Sequence, residues 1–210
     1  MVARSASTVT DLERQQIIDT DVTQLLFPGR YIYTHSVYGE VKKLIFPLSE
    51  ERFWLVDVYP FVAFGSIYEV RPDGLYATGA RPLLLEGPVP TPPAGFDATK
   101  LELVVPSRFR ASEPIVVVHE DPEEGVVGKV ELLFRMVNRD GNDFIVVRGQ
   151  SSASGGPRAH PAHGIVTEEW WQQGIGVVRV LFIAPPAIAG EMELLRREVD
   201  EPNQSTPSQP

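Results

Sequence analysis

Three short stretches of this chain carry residue types that do chemistry. The first is Glu168-Glu169-Trp170-Trp171-Gln172-Gln173. In a strand, successive side chains point to opposite faces, so one indole can face a core while its neighbour is left outside. An outward Trp beside Glu and Gln has the chemistry of a sugar-stacking platform or of an anchor in a protein interface. Trp170, Trp171 and Glu168 are therefore the candidate binding residues. The plainer alternative buries both indoles, one in the core and one under the long loop before them.

The second stretch is His119-Glu120-Asp121-Pro122-Glu123-Glu124, and the third is Ser151 to Gly164, where small residues precede His160 and His163. Imidazole and carboxylates gathered at a strand end can ligate a hard cation or move protons. If the two loops meet, His119, Glu120, His160 and His163 supply a two-His, one-carboxylate metal site and a metal-dependent hydrolase becomes conceivable. The local spacing speaks against it. His160 and His163 flank Pro161, so they do not share a helix face as zinc-protease histidines do. Gly155-Gly156 lacks the Lys-Ser or Lys-Thr of a phosphate-binding loop, and the chain has no GxSxG elbow. Asn138, Asp140 and Asn142 imitate the start of a calcium loop but lack its Gly and distant Glu. The expectation is an unassisted protein: no cofactor and no metal.

The elements that must position these groups read as strands. After Arg30, aromatic and β-branched residues alternate with polar ones, as a half-buried pleated surface requires. Arg71-Pro72-Asp73-Gly74 predicts a hairpin between Ser66–Val70 and Leu75–Thr78, with Gly74 taken to supply a positive φ. Asp140-Gly141 predicts a tighter one, joining the alternating run Val130 to Met136 to Phe144–Val147. Glu191 to Val199 fits a strand but also a short helix with Glu and Arg at i, i+4.

These signals divide the chain into an N-terminal helix or arm (1–28), a first β region (29–86), a Pro-rich linker (87–99), a β-sandwich (100–199) and a disordered tail (200–210). The linker holds four Pro in the seven residues 87–93, which favours extended polyproline and blocks ladder bonding. About seven strands in about a hundred residues match the count of an immunoglobulin-like or fibronectin-like antiparallel sandwich. The fold class expected is all-β.

Composition narrows the function. The chain has 210 residues, 43% hydrophobic, no Cys and a net charge of −9. Thiol chemistry and disulfides are excluded. Lys42-Lys43, Arg108 with Arg110, and Arg196-Arg197 are short basic pairs, read as solvated faces, so general nucleic-acid binding is not expected. No apolar run approaches a transmembrane helix. No signal peptide is visible at the N-terminus, which favours a cytoplasmic or assembly-associated location. The leading expectation is a non-enzymatic structural or interaction protein that self-associates or joins a larger assembly. Behind it stand a module that binds carbohydrate or another small ligand, and then the metal-dependent hydrolase.

Overall fold

The computed structural model describes residues 16–83, 91–121, 126–155, 165–184 and 190–198, with side chains at all of these except 119–121, 126–127, 152–155 and 184. Fifteen strands form among the described residues. They are β1 (Ile17–Asp19), β2 (Gly29–His35), β3 (Gly39–Pro47), β4 (Arg52–Val58) and β5 (Ala63–Arg71). Then come β6 (Gly74–Thr78), β7 (Arg81–Leu83), β8 (Leu101–Pro106), β9 (Arg108–Arg110) and β10 (Pro114–Asp121). The last are β11 (Val126–Arg139), β12 (Asn142–Gly155), β13 (Val166–Gln172), β14 (Gly176–Ala184) and β15 (Gly190–Glu198).

Thirteen of them share one antiparallel sheet in the order β10-β11-β12-β13-β14-β15-β2-β3-β4-β5-β6-β8, with β7 paired to β5 beside β6. The sheet curls into a nearly closed barrel whose seam lies between β8 and β10. Side-chain alternation gives the curled sheet its inner face, as in β3, where Val41, Lys43 and Ile45 are buried between more exposed neighbours. The inward set includes Tyr31, Tyr33, Leu55, Leu75, Phe134, Ile145 and Trp171, which pack into one core.

One end of the barrel is sealed. A 3-10 turn at Val22–Gln24, capped by the Asp21 side chain, drops Val22, Leu25 and Leu26 into the core. The Gly174 N–H donates to the Gln24 carbonyl at 2.8 Å. Arg197 of β15 clamps this floor: its guanidinium lies 5.1 Å from the Phe27 ring centre and 5.4 Å from that of Tyr31, and it donates to the Pro28 carbonyl at 3.1 Å. β1 and β9 pair across the same end.

A smaller core lies on the outside. Trp54 of β4 points outward and is fully buried, lying over Gly65, with Phe96 edge-on at 4.9 Å. Part of the Pro-rich segment thus straps the outer face of β4 and β5. Residues 87–90 of that expected linker lie outside the described residues.

Both expected hairpins form, with Arg71 opposite Gly74 and Arg139 opposite Asn142. Asp140 and Gly141 take φ of 55° and 81°, the left-handed pair that a two-residue turn needs. Gly74 is required for a different reason from the one expected. It is absent from the positive-φ residues, but a Cβ there would stand 2.6 Å from Leu103 Cδ1 and 2.8 Å from the Val105 carbonyl oxygen.

The all-β expectation holds, while two finer ones need correction. The strands of 100–199 do not form a separate two-sheet sandwich, because β8 pairs with β6 and β15 with β2, joining both β regions in one sheet. Period-two alternation fits the inner face of a barrel as well as that of a sandwich. In the expected N-terminal helix, the described part holds β1 and the 3-10 turn instead, since Asp21 caps a single tight turn and Pro28-Gly29 follows at once. Residues 1–15 and the tail from 199 lie outside the described residues. Glu191 to Glu198 is strand, fixed by ladders on both sides.

Candidate functional site

Above the packed floor the barrel is hollow. A chamber of about 420 Å³ is bounded by inward side chains of β3–β6, β8 and β10–β15. Its walls are mostly aliphatic, with Val117, Val130, Leu132, Val147, Val180 and Met192 among them. Set into this wall is a group of charges.

Lys43 of β3 and Asp57 of β4 sit directly opposite in the ladder, and the Lys43 Nζ lies 3.1 Å and 3.5 Å from the two Asp57 carboxylate oxygens. Burial works against the Lys43 charge, but Asp57 and the surrounding acidic groups overcome it and hold the ammonium above its usual range. Glu169 of β13 projects from the far wall, its Oε2 accepting from the Trp171 indole N–H at 3.0 Å. Burial pushes the Glu169 carboxyl up, and the Lys43 charge and the indole pull it back. Tyr68 of β5 also lines the chamber, and burial raises its hydroxyl to about 12. Below, the Tyr33 hydroxyl donates to the Val177 carbonyl at 2.7 Å, closing off the polar layer from the floor.

The opposite end of the barrel from the 3-10 turn is a mouth. A second hollow of about 440 Å³ is lined by His35, Tyr38, Tyr59, Phe61, Val62, Phe64 and Phe182. Tyr59 and Phe182 line the chamber as well, so the two hollows adjoin. The rings form one cluster: His35 lies 4.6 Å from Tyr38, 5.9 Å from Phe182 and 6.3 Å from Tyr59, and Tyr59 stands edge-on to Tyr38 and Phe64. His35 Nδ1 accepts the backbone N–H of Val37 at 3.0 Å and of Tyr38 at 3.3 Å. An accepting Nδ1 requires the neutral ring, and burial lowers the His35 pKa in the same direction. Phe61, at the tip of the β4–β5 turn, is 92% exposed.

The residues singled out from the sequence are distributed differently. Trp171 faces inward and is fully buried. Trp170 faces outward, with Phe144 5.6 Å away edge-on and the Arg179 guanidinium 5.6 Å from its ring centre. Glu168 is buried on that outer face, accepting from the Trp170 indole N–H at 2.9 Å and from Arg135 at 3.1 Å. The side chains of His119 and Glu120, and all of His160 and His163, lie outside the described residues. Among the described residues no three His, Cys, Asp or Glu side chains gather as a metal site would, and no helix is long and apolar enough to cross a membrane.

Sequence reasoning missed Lys43, Asp57 and the mouth. The signal was present: Val41-Lys43-Ile45 and Phe53-Leu55-Asp57 each put a charge on the apolar side of an alternating strand. No protein-family model, curated protein or solved structure matches the chain.

Proposed function

We propose that this protein binds a small amphipathic ligand inside its barrel, the apolar body in the aromatic mouth and a polar end in the chamber. The observation that carries this reading is that the two hollows adjoin, with Tyr59 and Phe182 lining both. Ligand sites are typically concave, mostly apolar and furnished with a few convergent polar groups, and barrel interiors are a common place for them. The sealed floor makes the lumen a blind pocket rather than a channel.

Titration with N-phenyl-1-naphthylamine, a neutral fluorescent apolar probe, tests it. Saturable binding by the wild type is expected, together with its loss in Ser66→Trp, which fills the chamber from β5. Absence of saturable binding, or binding unchanged in a Ser66→Trp protein that still melts cooperatively, overturns the reading.

A second reading, self-association, is favoured by a separate feature. β10 has a ladder partner on one side, and Val116 and Val118 are exposed on it. An apolar edge of this kind invites pairing with another strand. Light scattering on the eluting protein should show a dimer that Val116→Lys disrupts; a strict monomer at high concentration refutes it.

A further inference from the structure

We infer that the polar end of the ligand is an organic cation, an ammonium carried on an apolar or aromatic body. This rests on the proposed binding in the lumen. The charge inventory of the chamber carries the inference: its described ionisable lining is Lys43, Asp57, Glu102 and Glu169, with Tyr59 and Tyr68. Glu102 has an interaction of its own, which leaves Asp57 and Glu169 facing the Lys43 ammonium. That ammonium is already engaged, held by Asp57 at 3.1 and 3.5 Å across the ladder. Glu169 instead receives a neutral indole N–H on one oxygen. An incoming carboxylate would meet a wall with surplus negative charge, whereas an ammonium would supply the charge that Glu169 lacks.

The mouth points independently to the same chemistry. His35, Tyr38, Tyr59, Phe64 and Phe182 form a continuous ring cluster, and His35 is neutral by its hydrogen bonding, so the described lining of the entrance holds no cation. Aromatic faces attract organic cations electrostatically and reject none of their apolar bodies. Aromatic mouth and acidic chamber lie in series, along the path that the ligand must take.

Three probes with one body separate the possibilities: 4-phenylbutylamine, 4-phenylbutanol and 4-phenylbutyrate, titrated calorimetrically at neutral pH. The amine should bind about tenfold or more tighter than the butyrate, the scale of one charge-assisted contact. Glu169→Gln, which keeps an acceptor for Trp171, should remove most of the amine's advantage over the alcohol. If the alcohol or the butyrate binds as tightly as the amine, the cation inference fails while binding in the lumen stands. If none of the three binds and the neutral fluorescent probe does not bind either, the lumen reading itself fails. The comparison of the three probes on wild type decides the matter even if Glu169→Gln does not fold.

Discussion

Lys43→Ala should be the most informative single change in the barrel. It deletes the one ammonium in the described lining of the chamber and leaves Asp57 and Glu169 facing each other's charge. Removing one partner of a buried ion pair costs about 3–5 kcal/mol, because the survivor stays buried and uncompensated. The Asp57 side chain is 28% exposed and the chamber admits water, so the low end, about 3 kcal/mol, is the expected loss. For a chain of this size that is a fall in Tm of roughly 6–12 °C. Replacing both partners, as in Lys43→Met with Asp57→Leu, should recover part of the stability, since Asp57 is then not stranded while Glu169 still lacks the ammonium.

The pH dependence has a definite sign. Glu169 has a folded pKa above its unfolded one, so its contribution to stability is full below the unfolded value and is lost as pH rises through the folded value. Lys43 opposes that rise; without it the Glu169 carboxyl goes higher and the loss grows. Lys43 itself is charged in both states across this range, so its own titration is silent. Urea denaturation at pH 5 and pH 8 should therefore show Lys43→Ala losing more, relative to wild type, at pH 8. A loss below about 1 kcal/mol, or one equal at both pH values, would refute the placement of these charges in a shielded chamber.

Two further changes probe the scaffold. Gly65→Ala would put a Cβ 2.6 Å from Trp54 Cζ2 and closer still to Cη2, forcing the indole away from Phe96; overpacking and the lost ring pair together should cost about 2–4 kcal/mol by denaturant titration. Arg197→Ala should cost about 1–2 kcal/mol by removing the clamp on Phe27, Tyr31 and the Pro28 carbonyl. Lysine at that position should restore little of it, because an ammonium cannot lie flat on two rings while donating sideways.

Much of the strand pattern was legible in the sequence, and the partnership of the strands was not. The turn at Asp140-Gly141 and the strand at Val130–Met136 followed from local chemistry, because φ > 0 and period two are properties of neighbours. Whether Met192 pairs with His35 is not a local property, and the alternation that suggested a sandwich is satisfied equally by a closed wall. The paired Trp residues show the same limit at the site. Their opposition across the sheet was readable, but the importance of Glu169 depended on what the inner face encloses. Lys42-Lys43 reads locally as a solvated basic pair, although the parity of Lys43 with Val41 and Ile45 places it inside. The mouth arises from turns far apart in sequence, at 35–38, 59–62 and the end of β14, and no single segment announces it.

The position of the β2–β15 ladder sets the order in which this protein can be made. Every other neighbour pair in the long sheet is formed by strands close in the chain, whereas this one closes a loop on the order of 160 residues, the costliest closure in the sheet. During synthesis β2 through β6 can assemble into a hairpin stack early, but β2 then presents a bare edge until the final strand emerges. Docking of β15 both covers that edge and delivers Arg197 to the floor, so barrel closure and sealing are one event, expected to be slow and late. A chain stalled before Gly190 would hold an open sheet with its apolar inner face turned to water, and that species, rather than the finished barrel, is the one a chaperone has to guard.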